Sequence, residues 1–140
     1  MGFDTETIVS GTKAKPSIIQ LSTGINNMIL QLSNFEILPS MLIKMLSDDN
    51  IIKLGVGISD DLIDLGMFST EFSCKSVVDL SKLAKSMRVN EKNGIYGLRD
   101  LSAIFLGLFL DNKGSSSIKF SDWSNKELTK QQIEYAIGDS

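Results

Sequence analysis

The most informative absence from this sequence is histidine, which occurs nowhere among its 140 residues. Zinc sites with histidine ligands, the serine–histidine–aspartate triad and histidine as a general base are therefore excluded. Any catalysis must instead depend on carboxylates, tyrosine, lysine, serine or cysteine.

Cysteine is nearly absent as well, since Cys74 is the only one. A single thiol cannot form an internal disulfide, so we expect an intracellular protein of the nucleus or cytoplasm. No stretch approaches the roughly 20 apolar residues of a membrane span, and no signal peptide is expected. Hydrophobic residues still make up 42% of the chain, which predicts one domain over residues 1–140 with its own core.

Positive charge is also in short supply, because 14 lysines and arginines face 17 acidic residues and leave a net charge of −3. Proteins that coat nucleic acid by charge alone are usually basic, so this balance argues against such a coating protein. It argues less against a nuclease, because bound divalent cations add positive charge that the sequence does not show.

Hydrophobic periodicity predicts strands in the first third of the chain and a mixture of helices and strands after it. The predicted strands are 2–10, 17–22, 27–32, 51–56 and 76–80. The predicted helices are 37–46, one from Ser59, 80–87, 98–106 and one from Thr129, with a polar loop at 112–119. The first three strands should form an antiparallel meander, and the strand ending at Val56 should lie parallel to the first. We therefore predict an α/β domain with a mixed sheet of about five strands flanked by helices.

Asp4 and Glu6 are two residues apart on the first predicted strand. Side chains at this spacing point to the same face of a strand, and two carboxylates directed at one point repel each other unless a cation lies between them. Carboxylate oxygens are the ligands that magnesium and manganese prefer. An isolated pair of this kind is also compatible with two surface acids.

The segment 55–61 leads from a strand through two glycines into the start of a helix. It lacks the lysine of a phosphate-binding P-loop, and two acids at the helix start would repel a phosphate. We expect Gly55 and Gly57 to allow close packing, and Asp61 to project toward the carboxyl end of the sheet. Alternatively, Asp60 and Asp61 are only acids favoured by the helix dipole.

Tyr135 and Asp139 are four residues apart on the last predicted helix and therefore share one face of it. Thr129 and Gln132 predict a capping box at the start of this helix. Taken alone, the pair is better explained by a core tyrosine and a solvated acid at the helix end.

Residues that could grip a nucleic acid are harder to identify from the sequence. The basic candidates are Lys82, Lys85, Arg88, Lys113, Lys119, Lys126 and Lys130. They could contact phosphates, but an ordinary solvated surface is the favoured interpretation. Trp123 could stack on a base, although we expect a packing role, and we interpret Cys74 as a structural thiol.

The order and spacing of these motifs resemble the 3′→5′ exonucleases defined by three aspartates, one glutamate and a tyrosine. The domain type found in the Werner helicase is most similar, and RNase D is a more distant relative. The matching segments are 3–6 (FDTE), 15–21 (KPSIIQL), 55–58 (GVGI) with Asp61, 78–80 (VDL), 97–98 (GL), 121–123 (SDW) and 128–139. Thr7 stands where close relatives often have tryptophan. Since family members continue beyond both end motifs, we expect an exonuclease domain shortened at both ends.

The resemblance implies an RNase H-like fold and a two-metal mechanism with Mg²⁺ or Mn²⁺. Asp4, Glu6 and Asp139 would bind one cation, while Asp4 and Asp61 would serve the second. Tyr135 would orient the attacking water at the 3′-terminal phosphodiester of DNA or RNA. The alternatives are a catalytically impaired family member that acts as a nucleic-acid-binding or interaction module, and an unrelated α/β domain with scattered acids.

Overall fold

A computed structural model describes residues 1–10, 13–68, 72–89, 96–110 and 115–139. Its centre is a five-stranded sheet in the order β3-β2-β1-β4-β5. The strands are β1 (Gly2–Ser10), β2 (Lys13–Ser22), β3 (Asn27–Gln31), β4 (Lys53–Gly55) and β5 (Val77–Asp79). The helices are α1 (Ser40–Ser47), α2 (Ile58–Leu65), α3 (Leu80–Ser86), α4 (Leu98–Leu101), α5 (Ser115–Lys119) and α6 (Lys130–Asp139).

The sheet is mixed, as the sequence predicts. Strands β1, β2 and β3 pair antiparallel, whereas β4 lies parallel to β1 and β5 lies parallel to β4. The turn between β2 and β3 closes through a hydrogen bond from the Thr23 amide to the Asn26 carbonyl. This topology confirms the predicted α/β class, and it places the first strand at the centre of the sheet.

The two faces of the sheet pack against different helices. One face forms the larger core with α1 and α2, whose buried members include Phe3, Ile19, Leu21, Leu42, Leu46, Ile58 and Leu65. The other face packs Ile18 against Trp123 and against Ala136 of α6. Trp123 is 1% exposed, which confirms its predicted packing role.

Strand β4 is shorter and less buried than the apolar run 51–56 predicted. It spans Lys53–Gly55, and Ile52 before it is 53% exposed. The reversal after α1, in which the Ile51 amide donates to the Asp48 carbonyl, occupies the start of the run. The fully buried residue is instead Lys53, whose Nζ donates to the Asp48 carbonyl oxygen at 2.9 Å.

Two predicted helices and one predicted loop also differ in detail. Helix α1 begins at Ser40, because Pro39 takes the extended capping position before it rather than a place in its first turn. Helix α4 ends at Leu101 and continues as a π-helical segment, Ser102–Leu106. Helix α5 replaces the second half of the predicted polar loop, whereas 111–114, with Lys113, lie outside the described residues. No helix in the described ranges is long and apolar enough to cross a membrane.

Candidate active site

Strand β1 supplies two acidic side chains to one face of the sheet. Asp4 and Glu6 lie in the part of β1 that pairs with β2, where alternation directs both away from the Phe3 and Thr5 side. Glu6 is buried and Asp4 is half-buried. Two carboxylates are thus held side by side in a place that water reaches poorly.

Helix α6 brings a third carboxylate from the other end of the chain. Thr129 and Gln132 form the predicted capping box at its start, with the Thr129 amide donating to Gln132 Oε1 at 2.9 Å. The Gln132 amide also donates to Ser121 Oγ and to the Asp122 carbonyl, each at 3.0 Å, which fixes the start of the helix. Carboxylate oxygens of Asp4, Glu6 and Asp139 then lie within 4.8 Å of one another.

Asp61 reaches the same region from α2 but stands outside this group of three. Its Oδ1 accepts a hydrogen bond of 2.5 Å from the Thr5 hydroxyl. Gly55 permits the approach, because a Cβ there would lie 2.6 Å from the Phe3 carbonyl oxygen. Gly57 acts differently from the close packing we predicted: it caps α2 at a φ of +74°, with open space around it.

The electrostatics of the group show how unfavourable it is without a counter-charge. Burial raises the pKa of Asp4 to about 8, and repulsion from Asp61 and Glu6 adds to the effect. Burial likewise raises the pKa of Glu6 to about 7, with repulsion from Asp139 as the next cause. Burial also raises the pKa of Asp61, although the Thr5 hydrogen bond opposes it. A divalent cation would relieve this repulsion, so an all-oxygen donor set of this kind fits Mg²⁺ or Mn²⁺.

Tyr135 stands beside the carboxylates on the same face of α6 as Asp139. Burial raises the pKa of its phenol, and the hydrogen bond to Asp139 and the charge of that residue act in the same direction. The tyrosine therefore keeps its proton at neutral pH and can donate or accept a hydrogen bond, but it cannot act as a base. Its ring centroid lies 6.0 Å from that of Trp123, which holds the ring in place.

A cleft opens in front of the carboxylates and carries a basic side chain. Lys119, at the end of α5, lines it together with Leu98 and Asp139, and a connected part of the cleft also reaches Tyr135. Burial raises the pKa of both Glu6 and Asp61, and the Lys119 charge opposes that rise. The other predicted cations are placed differently: Lys82 pairs with Asp79 at 3.6 Å, and Lys130 pairs with Glu134 at 3.5 Å.

Two further residues at the site, Thr5 and Gln20, have no role that the sequence predicts. Thr5 stands between the two motif acids in β1, and its hydroxyl donates to Asp61. Gln20 pairs with Asp4 across β1 and β2 and is 1% exposed. Only the register of the hairpin, which the sequence does not reveal, places Gln20 beside Asp4.

Comparisons with known proteins identify the family of this chain. A family model described as 3'-5' exonuclease matches residues 1–140. The protein named "Putative 3'-5' exonuclease" of Acanthamoeba polyphaga mimivirus is 44% identical over 147 residues, which covers 100% of this chain and 37% of that protein. The chain therefore spans little more than a third of that relative.

Solved structures show the same fold. Escherichia coli RNase D has a TM-score of 0.80 at 26% identity, covering 99% of this chain and 35% of its own. Brucella melitensis NrnC with bound Mg²⁺ has a TM-score of 0.80 at 23% identity, covering 99% of this chain and 64% of its own. The predicted RNase H-like fold is confirmed, and the chain belongs to the 3'-5' exonuclease family.

Proposed function

We propose that residues 1–140 form a 3′→5′ exonuclease domain that hydrolyses the 3′-terminal phosphodiester bond of DNA or RNA with two divalent cations, Mg²⁺ or Mn²⁺. The observation that carries the proposal is the group formed by Asp4, Glu6 and Asp139, brought within 4.8 Å from opposite ends of the chain. Two structural relatives support the same chemistry, since NrnC is solved with bound Mg²⁺ and RNase D is an exoribonuclease.

The cations, when bound, would stabilise charge on the attacking and leaving oxygens of an in-line displacement. Asp4, Glu6 and Asp139 would hold the first. Asp4 and Asp61 would serve the second, with the Thr5 hydroxyl fixing the Asp61 carboxylate. In this assignment, the burial and the repulsion that raise the pKa of Asp4 would be relieved by a bound divalent cation.

Tyr135 would orient the attacking water. Its protonated hydroxyl is bonded to Asp139, so it lies next to the carboxylate group at the place where a nucleophile must be held. Because burial raises the pKa of this phenol, orientation rather than proton abstraction is the role that the residue can fill.

Lys119 would contact a backbone phosphate of the substrate. It is exposed at the cleft beside Asp139, and its charge already acts on Glu6 and Asp61. A strand entering the cleft would therefore meet the Lys119 side chain near the carboxylates. Such a contact positions the strand without reading its sequence.

The test is an end-labelled degradation assay with single-stranded, duplex and recessed DNA and RNA, each with Mg²⁺, Mn²⁺ or EDTA. A 5′-labelled strand should shorten stepwise, and a 3′-labelled strand should release its label first. A terminal 3′-phosphorothioate linkage, which resists hydrolysis, is the matched control. Metal and strand binding without any shortening would favour the non-catalytic binding module, and absence of metal binding would overturn the site assignment.

A further inference from the structure

Gln20 is a buried polar side chain that lacks a complete set of partners. It is 1% exposed, and within the described ranges neither its Nε2 nor its Oε1 makes a hydrogen bond. Leaving a buried amide without partners costs free energy, whereas an apolar side chain of similar length would avoid that cost. The capped Gln132 of α6 shows the usual arrangement, because its amide nitrogen and oxygen are both bonded.

The Glu6 carboxylate is an acceptor on the same face of the sheet as the Gln20 amide. Gln20 pairs with Asp4 in the antiparallel register, and Glu6 pairs with Ile18, so Glu6 and Gln20 are diagonal neighbours on one face. The buried Gln20 amide lies near this carboxylate on that face and acts on its charge as a nearby donor. The amide is therefore aimed at Glu6 without completing a bond of ordinary length.

We propose that Gln20 is a positioning residue of the metal site: when a cation is bound, its Nε2–H donates to one carboxylate oxygen of Glu6 and turns the other toward Asp4 and Asp139. This inference rests on the proposed function, since it assigns Gln20 to the same centre. Carboxylates that ligate metals are commonly held by such outer hydrogen bonds, which fix their orientation. In this assignment, the buried amide of Gln20 serves the metal site and does not contribute to the stability of the fold.

The proposal predicts opposite effects on stability and on metal binding. Gln20→Met keeps the length of the side chain and removes both polar atoms. The melting temperature of the metal-free protein should rise by about 2–6 °C, because the unpartnered amide is gone. The dissociation constant for Mn²⁺ should increase by about 10–100-fold, because Glu6 loses its orienting donor.

The experiment uses the full chain, with thermal unfolding in EDTA and calorimetric titration with Mn²⁺ alone. Leu21→Met is the matched control: Leu21 is the next residue of β2, is 4% exposed and packs into the core on the opposite face. This control should leave the dissociation constant for Mn²⁺ unchanged.

The outcomes separate the two proposals. If wild type binds Mn²⁺ and Gln20→Met binds it equally well, the Gln20 assignment is overturned while the proposed function stands. A lower melting temperature together with weaker binding also overturns it, because a purely structural glutamine behaves in that way. If wild type does not bind Mn²⁺, both proposals fail.

Discussion

The two faces of the central sheet are built from the same strands and have opposite compositions. On the α1 and α2 face, Phe3, Ile19 and Leu21 pack into an apolar core. On the α6 face, the alternate residues Asp4 and Gln20 carry polar groups that are half-buried or buried. The apolar face stabilises the fold, whereas the α6 face carries the candidate metal site and buries polar groups at an electrostatic cost.

The comparison shows where stability and function are separated in this molecule. Buried carboxylates that repel each other and an amide without partners both oppose folding. The apolar core on the opposite face offsets that cost. Hydrogen bonds at the start of α6 hold this helix, and with it Asp139, against the polar face of the sheet. Neighbouring residues of β1, such as Phe3 and Asp4, therefore serve the stability of the core and the candidate site respectively. Mutations can test these two roles separately.

The largest effect should come from Asp4→Asn on the α6 face. The exonuclease rate should fall by about 1,000-fold or more, because several kcal/mol of charge stabilisation would depend on the cations that Asp4 is proposed to hold. The metal-free protein should melt at a higher temperature, because a carboxyl whose pKa is raised to about 8 by burial is removed. Asp49→Asn, at an exposed salt bridge with Lys75, is the control and should change neither quantity.

Leu46→Ala should act in the opposite way on the other face. Leu46 is fully buried in α1, so the free energy of unfolding should fall by about 2–5 kcal/mol in urea titrations. The Mn²⁺ affinity of the folded protein should stay the same, because this residue packs on the side away from the carboxylates. A large loss of Mn²⁺ affinity in folded Leu46→Ala would show that the two faces are not independent.

Tyr135→Phe should separate catalysis from metal binding within the site. Without the hydroxyl the attacking water loses its orienting partner, so kcat should fall by about 100-fold while Mn²⁺ affinity is kept. Tyr96→Phe is a matched control, because the Tyr96 hydroxyl donates to the Val89 carbonyl in a different cluster. Equal rates for wild type and Tyr135→Phe would remove Tyr135 from the mechanism.

Lys119→Ala should have the smallest effect. Loss of one phosphate contact should raise KM about tenfold and reduce by about one the slope of log affinity against log salt. Lys130→Ala removes an exposed lysine that pairs with Glu134, and it should leave both KM and the salt slope unchanged. Similar behaviour of the two variants would mean that Lys119 does not touch the strand.

The sequence predicted those parts of the molecule that repeat or that form recognisable motifs. The strand at 2–10, the capping box at Thr129 and the spacing of Tyr135 and Asp139 on one helix all depend on neighbouring residues, and the structure has each of them. The apolar run 51–56 predicted a longer strand than the structure has. Its first residues belong to the reversal after α1, which hydropathy alone does not indicate. Gln20 and Thr5 acquire their roles only through cross-strand register and the approach of α2, which no local pattern encodes.

The central claim is that the α6 face is unfavourable to the fold until a cation neutralises it. Burial and mutual repulsion raise the pKa values of Asp4 to about 8 and of Glu6 to about 7, above their ordinary values of 3.8 and 4.5. Between about pH 4 and pH 8 the native state therefore holds more protons than the unfolded state, and these groups lower stability as the pH rises. Mn²⁺ binds the ionised carboxylates, so its stabilising effect should grow over the same range.

Urea unfolding at pH 5.5 and pH 8, with EDTA or with saturating Mn²⁺, measures this directly. The predicted result is that Mn²⁺ adds much more to the free energy of unfolding at pH 8 than at pH 5.5, and that Asp4→Asn abolishes most of the difference. An equal effect of Mn²⁺ at both pH values, or none at either, would contradict the account.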